Sequence, residues 1–441
     1  MSALLDIARK VAAEARSLGA QEVSVSVARS SESSIVRRAG KIEQATSATS
    51  LGVSLSVLVD DRYSVHASSD IRPDALTAFL VRAIEATRVL EPEVERRQPP
   101  VELCGRGASE EALDAWDASA ERLGAEARRT AAEALEAAVD ALPERSRVLS
   151  AAVFVGDSVN ESARVMSNGF EGTHRSTGFG HGAEMTLADA DGRRPEGYAY
   201  YSALYQEDLP DFEAVARECW RRSAQRLGSG PMASGRYPML LDAPAVGRIL
   251  GVLGAPLSGG ELHQKRSFLI GKLGERIGNA RFTLLDDPHI RRGLGSRAWD
   301  GDALIARPMP IVEAGVLSNY YINTYYGRKL GMAPTTGGRS NWVVPPGARG
   351  VAAIAEGLER AILVTGFLGG NSNAQTGDFS FGVSGVLLER GAPVKNLSEM
   401  NVSGNITDVL GNFVESADDV WTFGSCRSGT LLFDDVAFSG T

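Results

Sequence analysis

The sequence predicts an α+β protein in two parts: an N-terminal domain of antiparallel strands with long helices over 1–230, and a C-terminal β-rich, barrel-like domain over 231–441. Three observations carry this. Apolar residues alternate in runs between 22 and 68, the two-residue period of half-buried strands. Several other stretches of the first half carry apolar residues at helical intervals. Beyond Gly228-Ser229-Gly230-Pro231 helical patterns thin out and glycine-punctuated strands dominate, and the 48 glycines in 441 residues exceed the usual ~7%.

The elements follow in order. Leu4, Leu5, Ala8, Val11, Ala12 and Ala15 share one face of an opening helix over 3–18, which Gly19 stops. Val23, Val25 and Val27, then Ile35 and Val36, then Leu51, Val53, Leu55 and Val57 predict an antiparallel meander from 22 to 68. Pro73 suits a first helical turn and opens a second helix through Leu90, followed by a proline-containing loop over 91–107. The Ala/Glu/Arg-rich stretch 109–142, with Leu123, Ala127, Ala131, Leu135 and Ala138, predicts one long helix ended by Pro143. Strand-like runs return at 147–156, 159–166 and 176–204, and 210–227 is helical again. The second half holds one predicted helix, over 243–253, and then short strands and turns.

Acidic residues outnumber basic ones 55 to 46, a formal charge of −9, which argues against a broad electropositive surface for nucleic acid. The N-terminus has no secretory pattern and no apolar run approaches a bilayer span, so the expectation is a cytoplasmic protein with no membrane partner. Three scattered cysteines, Cys104, Cys219 and Cys426, give neither a disulfide framework nor a paired-cysteine metal knuckle.

The sequence carries almost none of the common catalytic patterns. No H-E-x-x-H or H-E-x-x-x-H sets two imidazoles on one metal, no G-x-S-x-G elbow is present, and Gly254–Gly260 lacks the lysine of a phosphate cradle. His174, His181 and Glu184 read as ordinary strand residues, and His263 has no second ligand at helical spacing. Cys426 beside Arg427 reads as a small buried thiol. Amides and aromatics concentrate at Asn319–Tyr326, with the 320–326 stretch read as a strand, and near Thr376–Gly382 and Asn401–Asn405. Two readings fit these clusters: capture of an extended peptide by main-chain pairing, and an ordinary β-barrel core with polar turns.

These stretches also carry a resemblance. Ser258-Gly259-Gly260, Lys265-Arg266-Ser267-Phe268-Leu269, Asp287-Pro288-His289, Arg328-Lys329-Leu330-Gly331 and Asn341-Trp342 belong to it. So do Thr376-Gly377-Asp378-Phe379-Ser380, Gly385, Asn396-Leu397-Ser398-Glu399 and Ser403-Gly404-Asn405. The chain resembles the TldD/PmbA family, once called modulators of DNA gyrase, and within it the TldE/PmbA branch. The resemblance implies a cytosolic zinc metallopeptidase that degrades or trims unfolded peptides, in which a TldD-like subunit carries H-E-x-x-x-H and a downstream cysteine. Here the corresponding segment reads Leu253-Gly254-Ala255-Pro256-Leu257-Ser258-Gly259-Gly260, without either imidazole or the glutamate.

The expectation is therefore a non-catalytic TldE-like subunit of a heterodimer, with no catalytic residue, metal or cofactor of its own, the zinc residing in the TldD-like partner. Its work is dimerisation and enclosure of peptide substrates, with Asn319, Tyr321, Asn323, Tyr325, Thr376, Asp378, Ser380 and Asn405 as substrate or partner contacts and a homodimer open to it in isolation. Two rivals stand beside this: an independent metal-dependent peptidase drawing ligands from His174, His181, His263, His289 or Cys426, and a homodimeric peptide-binding module.

Overall fold

The computed structural model describes residues 2–441. Helix α1 (Ser2–Ser17) leads into the strands β1 (Glu22–Arg38), β2 (Lys41–Val59) and β3 (Arg62–Ser68), then α2 (Pro73–Arg88). After α3 (Glu110–Leu113) and α4 (Ala125–Asp140) come β4 (Val148–Met166), β5 (Glu171–Leu187), β6 (Glu196–Ala203) and α5 (Phe212–Ala224). The six strands form one antiparallel sheet in the order β3-β2-β1-β4-β5-β6.

The alternating pattern decides which face of that sheet is covered. Val23, Val25 and Val27 pack with Leu4, Ala8 and Val11 of α1 and Leu80 and Ile84 of α2, all buried. Farther along the same sheet, Val153, Ala183 and Met185 pack with Leu135 of α4 and Val215 and Cys219 of α5. Each fully buried Leu, Ile or Met contributes about 1.5–3 kcal/mol, which is how two helical layers hold one face. The opposite face carries Ser24, Ser56 and Arg164, and it meets the C-terminal half.

The C-terminal half begins with β7 (Gly235–Leu241), α6 (Val246–Leu250) and α7 (Gly259–His263), then β8 (Leu284–Asp286), β9 (Met309–Glu313), β10 (Val316–Leu317), α8 (Thr324–Leu330) and β11 (Trp342–Val343). It continues with α9 (Val351–Glu356), β12 (Ala361–Ser372), β13 (Asp378–Glu389), β14 (Ala392–Asn405), α10 (Ile406–Gly411), β15 (Phe413–Ser416), β16 (Cys426–Arg427) and β17 (Leu431–Ser439). Strands β14, β13, β12, β7 and β17 pair in that order, and β17 returns to β14, closing a five-stranded barrel with β15 attached outside the ring. A smaller sheet runs β10-β9-β8-β11-β16. The α+β class and the barrel are as the sequence predicts. No described helix is long and apolar enough to cross a membrane.

Four local expectations are corrected. The single helix predicted over 109–142 is broken into α3, a short 3-10 turn at Ala120–Arg122, and α4. Asp114, with φ +47°, ends α3 because its carboxyl is drawn to Arg292 at 2.8 Å, and Thr177 accepts from Asp117 N at 2.9 Å. Tertiary partners override a favourable helical composition there. The runs at 147–156 and 159–166 are one strand, and Gly156 sits inside it because a Cβ would come within 2.8 Å of the Phe154 ring. The stretch 320–326 is not a strand: Asn323 caps α8, its Oδ1 accepting from Tyr326 N at 2.8 Å. Helices α7 to α10 join the predicted one at 243–253.

Candidate functional site

The segment where the resemblance puts a metal helix is apolar and tightly packed. Helical turns over 243–253 bury Val246, Ile249, Leu250 and Leu253, Pro256 interrupts the chain, and Leu257 is fully buried. Ser258 caps α7, its Oγ accepting from Glu261 N at 3.3 Å, while Gly259 N donates to Tyr321 O at 2.8 Å. A Cβ on Gly259 would lie 2.7 Å from Tyr326 Cβ, so glycine lets α7 close on α8. Cys426 sits over α6, where a Cβ on Gly247 would lie 3.9 Å from its Sγ. Burial pushes the Cys426 thiol up to about 11, with Arg339 opposing.

These residues do not fit a metal. Carbonyls, aliphatic side chains and one raised-pKa thiol supply no zinc shell, and among the described residues no three His, Cys, Asp or Glu are grouped to hold an ion. The scattered histidines have other partners. His174 meets the Trp299 ring and His181 the Phe212 ring, burial lowering the pKa of both. His263 lies against Tyr326, and His289 Nε2 is 2.9 Å from Ala306 O.

Next to this segment the barrel wall has an opening. Strand β12 pairs with β7 only through Ile362, Leu363 and Val364, and from Thr365 onward that edge has no strand partner among the described residues. The Leu368 carbonyl lies against Gly382 of β13, and β12 bulges between Leu368 and Asn371. Arg248 of α6 reaches across, donating to Gly369 O at 3.1 Å with its guanidinium 4.4 Å over the Phe381 ring. Tyr198, Arg222, Arg248, Phe367 and Gly369 line a cleft of about 450 Å³ on this edge. A second, of about 620 Å³, is lined by Arg194, Arg226, Leu368, Ser398 and Asn401. An exposed edge beside a walled cleft suits an extended backbone, because unpaired N–H and C=O groups template a further strand.

The sequence-predicted residues fall into two groups. Thr376, Asp378 and Asn405 come together at the β12–β13 turn: Asn405 Nδ2 donates to Thr376 O at 2.7 Å and to Asp378 Oδ1 at 3.0 Å. Thr376 and Asn405 hold the Asp378 carboxyl below the ordinary range. Phe268 N donates to Ala374 O at 3.0 Å in the same turn, and Ser380 pairs with Ser403 two residues along β13. The other four lie elsewhere. Asn319 donates to Pro310 O at 2.7 Å and Asn323 caps α8. Tyr321 is buried, its hydroxyl donating to Asp286 Oδ2 and accepting from Trp342 Nε1, both at 2.6 Å. Tyr325 reaches the N-terminal half, bonding Glu93 and stacking under Arg96 at 3.5 Å. The open edge and Arg248 were not predicted; only the glycines at 366, 369 and 370, which flatten and bulge β12, mark it in sequence.

Solved proteins described as putative modulators of DNA gyrase share this overall fold. The chain from Bacteroides thetaiotaomicron superposes with a TM-score of 0.94 at 33% identity, over 99% of this chain and 98% of that one. The TldE structure from Thermococcus kodakarensis shares the fold at 18% identity, with a TM-score of 0.81 over 98% and 100% of the two chains. The PmbA/TldA metallopeptidase profiles match throughout: domain 1 over 23–87, the central domain over 109–227 and the C-terminal domain over 234–440. The chain belongs to this PmbA/TldD family. It is 25% identical to the metalloprotease PmbA of Escherichia coli O157:H7 over 99% of its own length and 96% of that protein's. The match to the PmbA homologue of Haemophilus influenzae, at 31%, spans 51% of either chain.

Proposed function

We propose that this protein is the non-catalytic, TldE-like subunit of a cytoplasmic heterodimeric metallopeptidase, contributing dimerisation and enclosure of unfolded peptides. One observation carries the reading: the scaffold of the family is kept while the segment 253–260 offers no side chain that could hold a metal or activate water. The zinc and the general base then belong to a TldD-like partner. In this reading the peptide runs along the open edge of β12 between Tyr198 and Phe367, held by main-chain pairing that tolerates many sequences. The Thr376–Asp378–Asn405 turn and Ser380 face the partner or the channel, while Asn319, Tyr321 and Asn323 position the wall behind it and Tyr325 ties it to the N-terminal half. The two domains meet near 230.

Co-expression with the TldD-like protein of the same genome tests this. A stable complex with zinc-dependent peptidase activity is expected; two species that elute separately from size exclusion, without joint activity, would overturn it.

A further inference from the structure

A separate cavity of about 130 Å³ lies between the serine-bearing face of the N-terminal sheet and the C-terminal half. It is slightly smaller than the ~150 Å³ that accommodates a benzene ring. Ser24, Ser56, Tyr63 and Arg164 line it from one side, Asp302 and Thr324 from the other.

Two of these groups are unspent. Thr324 is 6% exposed, yet no protein group hydrogen-bonds its Oγ1. A buried hydroxyl in that condition is destabilising until a ligand or water meets it. Arg164 spends a single N–H on the Gly301 carbonyl and forms no ion pair among the described residues. Its other donors are available where solvent screening is weak. Two of the other charges are paired: Glu22 accepts from Gln98 N at 2.6 Å and lies 3.7 Å from Arg97, and Arg96 is paired with Glu93 at 3.2 Å. Asp302 accepts from Thr324 N at 2.8 Å, and its carboxylate acts on Arg164 from beyond ion-pair distance. The unspent donors of the cavity are the Arg164 guanidinium and hydroxyls, beside that one carboxylate.

We propose that this seam cavity binds a small oxyanion, a carboxylate or phosphate group, through the Arg164 guanidinium and Thr324 Oγ1. The guanidinium fork suits either ion, and Ser24 and Ser56 supply further hydroxyls on the same wall. Bound there, the anion joins β4 to α8 and so fastens the two halves. The inference does not depend on the subunit reading.

Thermal unfolding and calorimetric titration of the full chain test it at constant ionic strength, with sodium phosphate, N-acetyl-Ala-Ala and its C-terminal amide as probes. A saturable rise in the unfolding midpoint with phosphate or the free acid, but not the amide, is expected. Phosphate alone identifies a free phosphate source; the free acid alone identifies a peptide carboxyl terminus. Arg164→Gln weakens binding about tenfold or more and Thr324→Val several-fold, while exposed Arg72→Gln changes nothing. Thr324→Val, close in shape to the native residue, carries the test if Arg164→Gln does not fold. No saturable response to any probe, or equal responses in wild type and Thr324→Val, would overturn the proposal.

Discussion

Tyr321→Phe separates a positioning role from a contact role. The hydroxyl is the hub of a buried network: it donates to Asp286 Oδ2 and accepts from Trp342 Nε1, while Asp286 also accepts from Ser340 N at 2.9 Å. Asp286 is 2% exposed and Trp342 fully buried, so no solvent replaces the lost group. Burial and the neighbouring Asp286 raise the Tyr321 pKa, which keeps the hydroxyl protonated as a donor. Removing it strands the indole N–H, a cost of about 1–3 kcal/mol, and withdraws one donor from Asp286, about 1.5–3 kcal/mol. Because both losses share one atom they do not add fully, and about 2–4 kcal/mol is expected. Urea denaturation followed by tryptophan fluorescence should show a lower midpoint with an unchanged slope. Peptide affinity of the folded variant should not move. A stability change below about 0.5 kcal/mol would refute the network's role.

Three further outcomes follow from the same geometry. Gly259→Ala forces α7 from α8 against Tyr326 and should cost about 1–3 kcal/mol, read from the same denaturation curve. Arg292→Met removes the cation that meets Asp114 at 2.8 Å, Glu207 at 2.7 Å and Asp208 at 3.0 Å; with Glu207 and Asp208 substantially exposed, about 1–2 kcal/mol is expected near neutral pH. Burial acts to raise the Asp114 pKa, but Tyr205 and Arg292 outweigh it and hold the carboxyl below its ordinary value. The wild-type advantage is therefore full above the unfolded-state pKa near ~4 and fades as pH falls through the lower folded value, which unfolding at stepped pH would reveal. Cys426, pushed up to about 11 by burial, stays protonated near neutral pH, so native protein should resist iodoacetamide at this site while unfolded protein labels, as mass spectrometry would show.

Much of the fold was legible because its signals are local. Val23, Val25 and Val27 alternate onto one face and Leu4, Ala8 and Val11 recur at helical period, so the sheet and its helices can be read directly. What escaped depends on distant partners. Asp114 breaks a good helical composition only because Arg292 lies opposite, and α7 to α10 are each shorter than eight residues and survive on tertiary packing. The candidate site divides the same way. The missing ligands at 253–260 are visible in sequence, as is the turn at 376–380, whereas its tie to Asn405 follows from the pairing of β13 with β14. Neither the open edge of β12 nor the unspent Arg164 is, since one follows from where β7 stops and the other from what the C-terminal half places over β4.

The most direct test is to purify the chain alone, saturate it with zinc, remove loose metal, and assay both metal content and cleavage of an unfolded peptide. Substoichiometric zinc and no cleavage are expected, with activity appearing only when the TldD-like partner is added. Stoichiometric metal together with chelator-sensitive cleavage by the isolated chain would contradict the account.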